Sequence, residues 1–567
     1  MVSKLVEAVS GSELQRHLNS IAQYVRLSGT EDEAKAFDYI ESELKKFGYQ
    51  VNRYLSDALI GYPGKSSLEI VAPEEMAIPC NGYSLSTLTD DDGVTGELVF
   101  VGDGHPSDYE GLDVRGKIVI SNGLAMPDKT LASQENGAIA QIHINDEYIH
   151  EMCISPVWGT PIPETAGLLP KIPAVAVTKP DGEKIRAAME KDTVTVRLMT
   201  KPYRAWCKIP TLTGDLPGNR EDSYVLFNGH VDSWHYGAMD NGTANATMLE
   251  VARLLGEHKD ELYRGVRMAF WSGHSHGRYA SSAWYADEFW HDLHERCACN
   301  VNIDSVGGNG ATILSEAPVM AETYEFAKGV LKDTVDVDLD YRRMSRSSDQ
   351  SFWGHGIPTV LASLSEQSAE DSEMFKTMAS LLGGGTKGGG LGWWWHTTED
   401  TLDKIDADFL VRDAKVYAET MWRLTTLERL PLNIAALADE IGDAIKGYQE
   451  SSKGSIDLSG AIEMASQLSD KIRALDLSEV SPERANRLLM DLDRMLLPVN
   501  FTANGPFEQD LALGTVPVPG LREAGQLASM DSAGDDFKFL RTKLVRQRNR
   551  IEHALRAASR KVDEFES

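Results

Sequence analysis

The 567-residue chain carries 56 Lys+Arg against 86 Asp+Glu, a formal charge of -30, and is 42% hydrophobic. That length exceeds a single hydrophobic core and predicts roughly three or four domains, while the apolar content argues against a disordered chain. Nucleic acid and anionic membrane, which need clustered positive charge, are not expected as partners. The opening segment MVSKLVEAVSGSELQRHLNSI shows no apolar core of a signal peptide and no small-residue cleavage site. An uninterrupted apolar run of about 18 residues is also missing, so no membrane span is expected. The cysteines, Cys80, Cys153, Cys207, Cys297 and Cys299, are odd in number, scattered and without a C-x-x-C pair. Free thiols in a reducing compartment, by default the cytoplasm, are the expectation.

Residues 11–48 read as two amphipathic helices. The second places Ala34, Phe37, Ile40, Leu44 and Phe47 three or four apart and stops at Gly48. From about 60 to 200, short β-rich runs such as GELVFVG, GKIVISNG and KIPAVAVT alternate with Gly/Pro/Asp turns, which predicts a separate inserted β-rich domain. From about 205 to 430 apolar strands alternate with helices, as in SYVLFNGHVD, ATMLEVARLL and GVRMAFWSG. This texture predicts an α/β fold with a mostly parallel sheet covered by helices, and places functional residues at strand carboxyl ends. The Gly-rich run LLGGGTKGGGLGWWWH has no phosphate-loop spacing and reads as a mobile loop or lid. Beyond about 431 the apolar spacing is helical to the end, predicting a small bundle docked on the catalytic domain or on a second subunit.

The chemistry concentrates in NGHVDSWHYGAMDNGTANATMLEVARLL. His230 and Asp232 form H-x-D at the end of an apolar strand, and residues two apart share a side, so Asp232 is placed to orient the His230 imidazole. Asp240 follows in a Gly/Asn turn before a helix. Asp304, in NVNIDSVG, ends another apolar strand, and His396, in WWWHTTEDT, lies on a turn. Two imidazoles and two carboxylates at one sheet edge form a ligand set suited to Zn2+ or another divalent transition metal.

With these residues in place, the chain resembles the co-catalytic zinc aminopeptidase family that includes glutamate carboxypeptidase and the transferrin receptor, the GHVDSW motif fitting the glutamate carboxypeptidase branch. The resemblance implies a phosphorylase/peptidase-like catalytic domain over 1–60 and 201–430, a protease-associated-like insert over 61–200 and a helical dimerisation-like domain over 431–567. It implies a homodimer, one or two zinc ions, and a small-molecule or short peptide substrate. Residue by residue, it makes His230 and Asp304 ligands of one metal, Asp240 a bridge, and His396 a ligand of the second.

The same family pattern requires two adjacent glutamates after the W-S-G strand end, a general base for the attacking water and then a metal ligand. Here FWSGHSHGRYASS puts His274 at the base position and Ser275 at the ligand position, with His276 next. An imidazole is a competent general base at neutral pH, whereas a serine hydroxyl is a poor substitute for a carboxylate ligand. His274 is therefore the candidate catalytic base, and Asp232, behind His230, is the other candidate catalytic residue. Alternatively, His274 or His276 supplies a nitrogen ligand. His235 and Trp395 are candidates to line the pocket. Arg342, Arg343 and Arg346, in YRRMSRSSDQ, are candidates to clamp a substrate carboxylate.

The leading expectation is a metallopeptidase-like, metal-dependent hydrolase of an amide or peptide-like bond with a non-standard catalytic centre. Two alternatives stand beside it: a non-catalytic metal-binding or receptor-like scaffold, and a metal-dependent lyase using a histidine base.

Overall fold

The computed structural model describes residues 2–369 and 384–566. The two N-terminal amphipathic helices form at Gly11–Ile21 and Glu31–Lys46, after a short turn at Lys4–Ala8. The Thr30 hydroxyl caps the second by accepting from the Glu33 amide, satisfying a donor that the first helical turn leaves free. Its Phe37, Ile40 and Leu44 are fully buried, and the chain leaves at Gly48 with φ +87.

Among the described residues, eleven strands make one continuous sheet. In chain order they are β1 (Gln50–Ala72), β2 (Met76–Ile78), β3 (Asn81–Gly82), β4 (Val94–Phe100), β5 (Ile118–Asn122), β6 (Ala140–Ile144), β7 (Ala174–Val177), β8 (Thr195–Leu216), β9 (Glu221–His230), β10 (Arg264–Trp271) and β11 (Cys297–Asn302). Strand β9 lies between β10 and β11 and pairs with both in parallel. Its Tyr224–Phe227 stretch is buried on both faces, as a helix-covered parallel strand requires. The helix Ala244–Glu257 covers one side, and Tyr417 of the helix Ala407–Thr426 stacks on Phe227 with ring centroids 5.7 Å apart.

The insert is carried on two long strands. β1 and β8 pair antiparallel from Gln50/Asp215 to Ala72/Thr195, so a single ribbon runs from the catalytic sheet into the insert. Inside the insert β4, β5, β6 and β7 are parallel neighbours, and helices Pro127–Glu135 and Lys179–Met189 accompany them. The segment is therefore itself a small α/β unit with its own core around Ile118, Ile120, Ile142 and Val175. The C-terminal helices Ile434–Ser451, Ser459–Ala474, Pro482–Phe501 and Asp535–Glu566 share one apolar core with the catalytic sheet. Arg494 fastens them further, donating to the carbonyls of His294, Gly356 and Cys297.

All five cysteines are free thiols. No helix among the described residues is long and apolar enough to cross a membrane. Of the Gly-rich run, Leu381, Leu382 and Gly383 lie outside the described residues. The remainder is tied down: the Glu316 carboxylate accepts from the amides of Thr386, Lys387 and Gly388, and Glu366 accepts from that of Gly390.

One buried imidazole in the insert carries a pH signature. His143 is fully enclosed between Ser121 and Gln141, and burial, with the Lys129 ammonium a smaller influence, presses it down to about 3 from 6.5. The folded chain thus keeps His143 neutral while the unfolded chain protonates as pH falls through 6.5. The stabilisation is full above that value and is lost progressively on acidification toward 3, by about 2 kcal/mol at pH 5. Urea midpoints of the wild type and His143→Gln should therefore differ at pH 7 by more than at pH 5; a difference independent of pH would contradict this.

Candidate active site

The carboxyl ends of β9, β10 and β11 lie side by side, and the turns that leave them carry the site. After β9 the chain runs through Val231–Tyr236 and reverses at Gly237, where φ is +49 and a Cβ would meet the Asp240 carbonyl oxygen at 2.2 Å. Only glycine fits there. Arg26, fully buried, holds this turn from the N-terminal segment by donating to the carbonyls of Ile21, Tyr24, Val231, Tyr236 and Gly237. Asp400 completes the frame, its carboxylate accepting from the amides of Met239 (2.8 Å) and Asp240 (3.0 Å). Burial pushes Asp400 up to about 7 against those two hydrogen bonds.

Asp240 is thereby presented between two imidazoles. Its Oδ1 lies 3.1 Å from His230 Nε2 and its Oδ2 2.9 Å from His396 Nε2. Burial alone would raise the Asp240 carboxyl; the two imidazoles beside it hold it far below the usual range. Asp304, from the end of β11, stands 3.6 Å from His230 Nε2 and accepts from the hydroxyls of Ser305 and Ser348.

The tautomers of both histidines follow from their second nitrogens. His230 Nδ1 lies 2.8 Å from the Asp232 carbonyl oxygen, and His396 Nδ1 2.6 Å from that of Glu151. A carbonyl only accepts, so each Nδ1 carries a proton, and in the neutral imidazole Nε2 is then the lone-pair nitrogen that a metal ligand requires.

His230 Nε2 and Asp240 Oδ1 are buried without a hydrogen-bond partner. Adjacent ligands on tetrahedral zinc, with bonds near 2.1 Å, lie about 3.4 Å apart, which the 3.1 and 3.6 Å separations bracket. Zinc thus fits the donor set.

The HSH segment divides its histidines. Gly273, φ +71, opens the turn, and a Cβ there would meet Ile209 Cδ1 at 2.9 Å. The Asp232 carboxylate accepts from the amides of His274 (3.2 Å) and Ser275 (2.9 Å) and from the Ser28 hydroxyl (2.8 Å). Its first duty is to fix this turn; its carbonyl, more than its carboxylate (3.7 Å away), orients His230.

His274 stacks on His230 with centroids 3.7 Å apart and joins it and Asp304 in one potential ligand group. Its Nδ1 lies 2.8 Å from Asp349 Oδ2, and Asp349 Oδ1 accepts from Ser282. His276 instead points behind the site, between Trp234 and Tyr62, with Nδ1 against the Ser28 hydroxyl. The expectation of His276 as a metal ligand is not met among the described residues, because the turn that brings His274 forward carries His276 away.

A cavity opens on the cluster, lined by Asp240, His274, Asp304, His396 and Trp395, with Met152, Met344, Leu391 and Arg278 among its other walls. Trp395 lies flat against His396 at 3.4 Å. His235 is not on this wall; it approaches the Glu151 carboxylate at 3.7 Å.

The three arginines expected to clamp substrate serve elsewhere. Arg342 pairs with Glu366 at 2.5 Å, Arg343 with Glu440, and Arg346 lies over Trp158 and donates to Gln509. None of them lines the cavity, because each meets a partner supplied by distant sequence. Conversely, sequence reasoning missed Asp400, although it stands four residues past His396 in HTTED, and it gave Asp349, inside the YRRMSRSSDQ segment, no role beside His274. It also missed Glu151, whose amide and carbonyl clasp the backbone carbonyl and ring of His396 from the insert.

A metal-ligand cluster at the carboxyl edge of a helix-covered sheet defines a metallopeptidase-type hydrolase. Residues 211–421 match Peptidase family M28 and residues 94–185 the PA domain. The catalytic part of the chain is thus similar to Peptidase family M28, and its relatives are peptidases as well. It is 26% identical over 437 residues to the probable lipoprotein aminopeptidase LpqL of Mycobacterium tuberculosis, covering 70% of this chain and 81% of the relative. It is 24% identical to aminopeptidase YwaD of Bacillus subtilis, covering 74% and 87%. Carboxypeptidase Q of Bos taurus is 26% identical, covering 46% and 57%. Among solved structures, a Peptidase M28 precursor from Shewanella amazonensis shares the fold with TM-score 0.57, 19% identity and coverage of 74% and 95%. BSAP, a zinc aminopeptidase from Bacillus subtilis, gives 0.54, 22%, 74% and 97%.

The Asp400 carboxylate reaches the ligand group through the Met239 and Asp240 amides. Asp400→Ala should weaken zinc binding by about 10–100-fold in a chelator competition, the usual scale for a residue supporting a ligand. An unchanged zinc affinity would remove Asp400 from that role.

Proposed function

We propose that the chain is a zinc-dependent hydrolase of an amide or peptide-like bond in a small substrate, with His274 as the proton-transfer group. The observation that carries this reading is the His274–Asp349 pair opening on the same cavity as Asp240, Asp304 and His396. His230, Asp240 and Asp304 supply a three-donor site, whereas His396 and Asp240 supply only two donors for a second ion, since Ser275 stands where the family pattern has a carboxylate. One firmly held zinc is therefore the expected content. When bound, zinc polarises the substrate carbonyl and lowers the pKa of the attacking water.

The remaining steps belong to the chain. Asp349 holds the proton on His274 Nδ1, leaving Nε2 as the acceptor. As water oxygen bonds to the carbonyl carbon, its proton passes to Nε2; as the C–N bond breaks, the same proton passes to the leaving nitrogen. Trp395 and the apolar walls exclude bulk water from the site.

A second reading rests on the grouping of His274 with His230 and Asp304, which would make it a nitrogen ligand. His274→Ala separates the two. A general base predicts a fall in kcat of about 10²–10⁴-fold on dipeptide and N-acyl amino acid substrates with zinc content retained. Loss of zinc from the purified variant would assign His274 to the metal instead, and unchanged hydrolysis would exclude both roles.

A further inference from the structure

One cation in the cavity has no counter-ion. Arg278 lines the wall beside His274 and Ser275 and is only 8% exposed. Its Nε is buried with no hydrogen-bond partner, and no carboxylate among the described residues pairs with its guanidinium. Its nearest aromatic, Tyr279, lies 5.6 Å from the guanidinium carbon, and Tyr279 is itself held between Trp158 and His274.

Arg342, equally buried in the same domain, has a carboxylate, while Arg346 and Arg26, buried without one, donate to the Gln509 side-chain oxygen and to main-chain carbonyls. A buried guanidinium left unpaired is costly, and the cost is relieved when a ligand brings the matching anion. The rest of the wall is apolar or hydroxylic: Met152, Pro318, Met344, Ala362 and Leu391, with Ser347 and Ser348. Among the described residues its only carboxylates, Asp240 and Asp304, belong to the zinc donor set. The cavity therefore offers a free cation, and no uncommitted carboxylate to receive a substrate amine.

We propose that Arg278 is the specificity-determining residue of this pocket and receives the free terminal carboxylate of the substrate. The apolar walls then take an apolar side chain of that terminal residue. The site would act on a bond next to a carboxyl-terminal residue, as in an N-acyl amino acid or the end of a short peptide. This inference rests on the hydrolase reading and refines it. A guanidinium suits the task because its planar fork meets both carboxylate oxygens at once.

Binding calorimetry on the zinc-loaded chain with three probes tests the idea: N-acetyl-leucine, its carboxamide and leucinamide. The wild type should bind N-acetyl-leucine at least about tenfold more tightly than the carboxamide, the lower range for a hydrogen-bonded charge. Arg278→Met should abolish that preference, and Arg278→Lys should restore part of it. A preference that survives in Arg278→Met would place the carboxylate on the zinc cluster and overturn the proposal. Tightest binding of leucinamide, unaffected by either variant, would overturn it in favour of amine recognition. Zinc content and the His274→Ala assay are read separately, so the hydrolase reading stands or falls independently of these affinities.

Discussion

The site depends on one carboxylate held between two imidazoles. Asp240 touches His230 with one oxygen and His396 with the other, and everything nearby serves to keep it there. Its position cannot come from its own side chain, because three rotatable groups meeting at buried polar atoms would otherwise drift into solvent or neutralise one another. The backbone supplies the constraint. Arg26 gathers three carbonyls of the preceding turn, Asp400 takes the amides of Met239 and Asp240, and Asn245 ties the His230 and Asn241 carbonyls together. These groups come from the N-terminal segment, the turn after His396 and the helix after Asp240, so the ligand geometry is a property of the whole catalytic domain.

The sequence reveals this centre well where a residue's place follows from its own strand. His230 and Asp304 are legible because apolar runs end just before them, and strand ends in a parallel sheet converge on one edge. Asp240 is legible from the Gly/Asn turn and the helix that follows. The fold is legible for the same reason, since alternation of strand and helix survives as a pattern of apolar spacing. The insert was read as β-rich because its strands are short and separated by turns; that its sheet is parallel, with helices beside it, depends on pairings no local pattern records.

Residues whose role depends on a distant partner were not legible. Arg342, Arg343 and Arg346 form a run of charge in the sequence, yet each is claimed by Glu366, Glu440 or the Trp158 ring. Arg278, four residues beyond His274, drew no notice because a single arginine after a histidine pair has no pattern, and only its lack of a partner marks it. His274 and His276 look equivalent in HSH. A one-turn helix separates them, sending one ring onto His230 and the other behind Trp234.

The clasp between Glu151 and His396 links the insert to the catalytic edge through the main chain of Glu151 and the carbonyl and ring of His396. Glu151 is carried by a unit attached through the long β1/β8 ribbon, so twisting or bending of that ribbon is transmitted to the Nδ1 proton of His396. Lifting the insert would free that ring to rotate and would open the Met152–Cys153 wall at the same moment. Access to the cavity and the orientation of one imidazole are therefore a single mechanical variable, and the insert is as much a brace for the centre as a cover over it.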